Sequence, residues 1–179
     1  MITVSESVVK WIQFVSIMLY VLVAGVMWGT WLSLARTMTD YDSATFLADG
    51  KHMIENLATI MAVLMISAVL VGLVVVLLLF RARSTVAAWL ALAGLLLMTA
   101  VLVITLAVEV PIDNLISSWA EATLPPDWKE IRARWAAFHT LRTFLSLGAV
   151  AAAVGAALTT RTAGGTVARQ PLEVEHSGV

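Results

Sequence analysis

The chain has 179 residues, 60% of them hydrophobic and only 13% charged, with a formal net charge of −1 and no cysteine. An apolar excess of this size is foreign to soluble domains, so the bilayer is the main solvent and first partner of the chain. Without cysteine, disulfides, thiolate metal sites, iron–sulfur clusters and thioether-linked haem are excluded, and without a long basic run nothing points to nucleic acid.

The first apolar stretch runs from about Val8 to Arg36. It exceeds the ~7–15 residues of a signal-peptide core, so it reads as a membrane span despite the small-residue pattern Ser33-Leu34-Ala35. At ~1.5 Å per residue, about 20 residues cross a hydrocarbon layer ~30 Å thick. Gly25, Gly29 and Ser33 recur at i, i+4 and i+8, a small-residue face suited first to packing inside a bundle and second to a homo-oligomer contact.

After a connection over 37–56, the second stretch covers Leu57 to Phe80. His52, Glu55, Asn56 and Thr59 form one polar stripe at its start, spaced i, i+3, i+4, i+7, which must face protein or water. Its other half, Val69 to Phe80, has no polar side chain, which confines chemistry to the end of the bundle that carries the stripe. Arg81 and Arg83 then sit in a connection of a few residues without an acid. By the positive-inside rule this side is cytoplasmic, giving a multi-pass protein of the cell membrane with both termini inside.

The third stretch runs from Val86 to Val110, with Glu109 near its end. Leu115, Ile116 and Trp119 suggest a short helix lying along the interface in the second outer loop. Pro125-Pro126 breaks the chain, and Asp127 with Glu130 three residues on has the form of a capping box that opens the last helix outside the membrane. Together the outer segments make a lid.

The fourth stretch extends from Trp135 to Thr160, and Gly148, Ala152 and Ala156 give it a second small-residue face. The expected fold is all-α: a transmembrane four-helix bundle over 1–160, up-down-up-down, followed by a cytoplasmic disordered tail over 161–179. Tryptophans 28, 31, 119, 128 and 135 match an interfacial aromatic belt.

Counting from the cytoplasmic ends brings Trp31, Thr59, Glu109 and His139 to one height, ~31–35 Å, with Arg142 a turn deeper. Ionisable residues at such depth usually face the bundle interior and mark a site. His139 and Arg142 are the leading catalytic candidates, with His52, Asn56 and Glu109 as substrate-binding candidates. His52 and His139 are also conceivable as a ligand pair for metal or haem. The His-x-x-Glu order on the second helix is the reverse of the di-iron motif, so no metal or cofactor is assigned.

The pattern Val110-Pro111-Ile112-Asp113-Asn114-Leu115, then Asp127-Trp128 and Arg132-x-x-Trp135-x-x-x-His139-x-x-Arg142, resembles the anthrone oxygenase-like family of small four-helix membrane proteins. The resemblance covers most of the chain to about Thr160 and is sharpest in the Trp-x-x-x-His-x-x-Arg stretch. It implies a helical bundle and oxidation of an anthrone methylene to a quinone carbonyl by dioxygen, with no known organic cofactor. On that basis His139 is expected to act as base. Arg142 is expected to stabilise the oxyanion, and Asn114 or Trp135 to orient a lipophilic substrate arriving from the bilayer. The competing expectation is a non-enzymatic protein that binds a lipid, quinone or partner subunit in the same outer cavity.

Overall fold

The computed structural model describes residues 5–160; the expected tail over 161–179 lies outside them. Helix α1 (Glu6–Thr30) continues through a widened π-turn, Trp31–Ala35, and ends in a 3-10 turn, Met38–Asp40. Helix α2 (Ser43–Arg81) has 39 residues. At ~1.5 Å each it is nearly twice as long as the hydrocarbon is thick, so its first turns stand in the headgroup region and beyond. Helix α3 (Thr85–Ile104) passes through a second π-turn, Thr105–Glu109, into α4 (Val110–Ser118), and α5 (Trp128–Thr159) is the last helix of the described residues. The described residues thus form four rods long and apolar enough to cross a membrane.

The start of α2 follows from one side chain. Asp42, in extended backbone, accepts a 2.8 Å hydrogen bond from the Thr45 amide, and this bond holds its carboxyl below the usual range. The turn between α2 and α3 is so short that Arg83 takes a left-handed conformation, φ 55°.

Each rod packs on two others, and the contacts close a ring in the order α1, α2, α3, α5. The outward faces are apolar: Trp11, Ile60, Val63, Leu96, Leu106 and Leu158 are all exposed. An exterior richer in hydrocarbon than parts of its interior is stable only in lipid. At one end Leu79, Ala87, Ala88 and Ala156 seal the core. At the other, Phe46, Met38, Ile112, Ile116, Trp119 and Trp135 form a separate packed cap.

The fold corrects three details of the sequence reading. Residues 110–118 continue the third rod with helical backbone rather than forming a separate interfacial helix, and Leu115 points away from the buried Ile112 and Ile116. Pro111 is accommodated because the π-turn restarts the hydrogen-bond ladder, leaving proline in a first turn where its missing N–H costs little. Asp127 does occupy the N-cap of α5, but at φ −94°, ψ 12° its side chain caps nothing, so the capping box does not form. The two small-residue faces also diverge. A Cβ on Gly94 of α3 would stand 3.1 Å from the Ala149 carbonyl, so α5 lies close against α3 there. A Cβ on Gly25 or Gly29 would meet nothing within 4 Å, so at these two positions α1 packs on no neighbour among the described residues.

Candidate functional site

Both π-turns lie at the cap end of the bundle, and α5 crosses between them. Such turns free or redirect backbone groups and concentrate at functional sites. Facing them, α5 presents Trp135, His139, Arg142 and Thr143 along one stripe, all of them buried or nearly so.

Arg142 is the hub. Its Nη1 donates to Thr105 Oγ1 at 3.0 Å, its Nη2 donates to His139 Nδ1 at 2.9 Å, and Nη2 also lies 2.9 Å from Glu109 Oε2. Glu109 has no exposed surface at all, and no other ionic partner reaches it among the described residues. Arg142 is therefore turned inward rather than outward to headgroups, and Glu109 ends no helix in water. The guanidinium and carboxylate neutralise each other in a place where either charge alone would cost several kcal/mol, about 3 or more.

His139 is fixed at both nitrogens. A guanidinium can only donate, so Nδ1 must be the acceptor, and the proton of the neutral ring then sits on Nε2 and is donated to the Met27 carbonyl at 3.2 Å. Its ring stacks on Trp135 at 4.8 Å and 9°, and Thr143 donates to its backbone carbonyl at 2.7 Å. Trp135 in turn donates through Nε1 to Asp113 Oδ1 at 3.0 Å. One chain of contacts thus runs Asp113, Trp135, His139, Arg142, Glu109.

Along this chain lies a cavity of about 180 Å³. It exceeds the ~150 Å³ apolar cavity known to admit benzene. Met53, Leu57, Met61 and Met65 of α2 line one wall with Met27 of α1, and Thr105, Asp113, Trp135, His139 and Arg142 form the polar patch. Methionine side chains are polarisable and adaptable, so this wall can repack around different contents.

A packed cap stands at one end of the cavity, and outward-facing apolar side chains flank it at the side. Above it stands the packed cap, pinned by Arg132, which donates to the carbonyls of Tyr41 and Thr39 at 2.9 and 3.1 Å and lies over the rings of Trp128 and Phe46. Lys51 adds a 2.6 Å bond to the Trp119 carbonyl, so it holds the cap rather than pairing with Glu55. Sideways, the wall contains Ala58, Ala62 and Ile66 of α2 facing Leu106 and Val110, all exposed on the outer surface. Counting ~1.5 Å per residue from Arg81, this gap spans heights of ~22–34 Å, within the hydrocarbon and at its edge.

Of the residues read from sequence, His139, Arg142, Glu109 and Trp135 are brought together. His52, Asn56 and Asn114 are not: all three are exposed and outside the cavity wall. The stripe of His52, Glu55, Asn56 and Thr59 does share a face, but that face turns outward, while Met53, Ile54 and Leu57 turn to the cavity. At ~44 Å above Arg81, His52 stands beyond the hydrocarbon, where its solvation is free. It forms no pair with His139; its ionic neighbour is Glu55 at 4.0 Å. Among the described residues no group of three His, Cys, Asp or Glu side chains is placed to hold a metal. The sequence reading missed Asp113 and Thr105. Glu109 and Asp113 are spaced i, i+4, which would have placed both on one face had the third helix been carried through Pro111.

A family model described as anthrone oxygenase matches residues 51–152. The match covers 102 of the 179 residues and takes in every cavity-lining residue named above except Met27. No curated protein and no solved structure matches the chain.

Proposed function

Because this chain belongs to the anthrone oxygenase family, we propose that it oxidises a lipophilic, anthrone-like polycycle with dioxygen in the cavity between α1, α2, α3 and α5. The observation that carries this reading is a single guanidinium, Arg142, presented in a largely apolar cavity beneath the packed cap, with outward-facing apolar side chains in its wall. A fixed cation in a low-dielectric pocket stabilises an oxyanion far better than it would in water.

The chemistry needs little else. The methylene opposite an anthrone carbonyl is acidic because its conjugate base is an aromatic phenolate. Arg142 would hold that phenolate oxygen, and the electron-rich carbon reacts with O₂. His139 orients Arg142 through Nδ1, and Trp135 offers a flat face beside it. The overall change is a methylene plus O₂ giving a carbonyl plus water. We place the cap outside the cell membrane and both termini in the cytoplasm, because Arg81 and Arg83 mark the opposite end.

The test is turnover of a tricyclic anthrone by the purified protein in lipid nanodiscs, followed by O₂ uptake and quinone absorbance. The wild type should exceed the spontaneous rate, and the double variant Arg142→Met/Glu109→Gln, which removes both charges together, should lose about 10²–10³-fold. Equal rates would sink the oxygenase reading. Saturable binding of the anthrone without turnover would support the second reading, a membrane protein that binds a lipid or quinone in the same cavity.

A further inference from the structure

On the oxygenase reading, some group must accept the methylene proton, and we infer that Asp113 is the catalytic base, with Trp135 as the residue that positions it. Three groups near Arg142 have the chemistry to take a proton: His139, Glu109 and Asp113. His139 has no free lone pair, since Nδ1 accepts from Arg142 and Nε2–H donates to Met27. Glu109 has no surface on the cavity and is spent on Arg142.

Asp113 differs from both. It lines the cavity; Oδ1 accepts from Trp135 Nε1, while Oδ2 makes no hydrogen bond and is not among the sealed, orphaned atoms of the site. Among the described residues no cation lies within ion-pair distance of it. With Glu109 already neutralising Arg142, Asp113 is the carboxylate left to bind a proton. A carboxylate with one oxygen anchored and the other open to a substrate pocket has the form required of a general base.

The sequence of steps balances. Asp113 Oδ2 takes one methylene proton, and the electron pair delocalises onto the substrate oxygen held by Arg142. The carbanion carbon reduces O₂ and bonds to it, giving a peroxide anion that takes the proton back from Asp113. Asp113 then removes the second C–H proton as the O–O bond breaks, leaving the carbonyl and a hydroxide that leaves as water with that proton.

Proton transfer can be read without oxidation, by following anaerobic exchange of the methylene protons of a tricyclic anthrone for deuterium in D₂O by NMR. Wild type should accelerate exchange above background. Asp113→Asn should lose about 10²–10⁴-fold, the usual contribution of a general base, while still quenching tryptophan fluorescence on binding the anthrone. Trp135→Phe, which keeps the ring but not the N–H, should lower exchange about tenfold with binding retained, and it serves as the second measure if Asp113→Asn does not fold.

Wild-type exchange in both variants would overturn the role of Asp113, and loss confined to His139→Gln would give that role to His139. Quinone formation at the wild-type rate in Asp113→Asn, with no accelerated exchange in the wild type, would refute base catalysis while leaving the oxygenase reading intact. Exchange without quinone formation would keep the base and refute the oxygenase.

Discussion

Replacing Glu109 by glutamine tests whether the Glu109–Arg142 pair is the sealed charge pair its geometry describes. The substitution keeps shape and removes one charge, and Glu109 has no exposed surface through which water could compensate. Arg142 keeps its bonds to Thr105 and His139, but both are neutral acceptors. Breaking a buried pair on one side costs about 3–5 kcal/mol, because the remaining charge stays buried without its counterion. At about 2–4 °C per kcal/mol for a chain of this size, the melting temperature should fall by roughly 6–20 °C. The assay is thermal unfolding in nanodiscs by tryptophan fluorescence. The pairing makes a second, sharper demand: Arg142→Met added to Glu109→Gln should restore most of the loss, since replacing both charges by neutral groups is often close to neutral in stability. A double variant whose loss equals the sum of the two single losses would show that the groups are not coupled, and a loss below about 1 kcal/mol for Glu109→Gln would show that water reaches them.

Three further outcomes follow from the cap, the side opening and the start of α2. Arg132→Met removes two charge-assisted bonds to the Thr39 and Tyr41 carbonyls; a loss of about 2 kcal/mol, roughly 4–8 °C in melting temperature, is expected, with faster proteolysis over 36–42 as a local check. Ala62→Trp fills the gap between α2 and Leu106 from the lipid side; it should slow anthrone binding at least tenfold by stopped-flow quenching with the melting temperature unchanged, and unaltered binding would place the way in elsewhere. Asp42 is held below its usual pKa by the Thr45 amide, so its contribution is fully present above the ordinary carboxylate value of about 3.9 and fades as pH falls through the lower folded value. The protection factor of the Thr45 amide, its exchange rate divided into the intrinsic rate at each pH, should therefore fall on acidification in the wild type and be low at all pH values in Asp42→Ala.

The rods themselves were legible because apolar length is a direct statement about the solvent: only helices satisfy their backbone in hydrocarbon, so four long apolar runs leave little choice. The stripe of Trp135, His139 and Arg142 was legible for the same reason, since lipid would reject it on any outward face. The polar stripe of α2 misled because that argument lapses beyond the hydrocarbon. At the height of His52 water is an acceptable neighbour, and the inward face was left to Met53, Ile54 and Leu57. Asp113 was hidden by Pro111. A proline after a long helix reads as its end, and only the π-turn at Thr105–Glu109, invisible to a period of 3.6, lets the helix restart and carry Glu109 and Asp113 down one side.

The closed cap and the open side together make sense of where the polar groups lie. A hydrolytic or ion-handling site needs water, and would face it through the mouth; here that mouth is filled by Phe46, Ile116, Trp119 and Trp135. On the proposed function, a substrate would come between α2 and the α3–α4 rod, past Ala62 and Leu106, from the bilayer. Both reactants of the proposed reaction meet that condition, since polycyclic anthrones and dioxygen dissolve better in hydrocarbon than in water. On the proposed reaction, the packed cap would limit, without abolishing, the water able to reprotonate the carbanion and return the substrate. A variant that opened the cap, such as Arg132→Met, should therefore raise methylene exchange relative to quinone formation, because a wetter site reprotonates the carbanion before oxygen captures it. An unchanged ratio of the two rates would mean that the cap excludes water for stability alone.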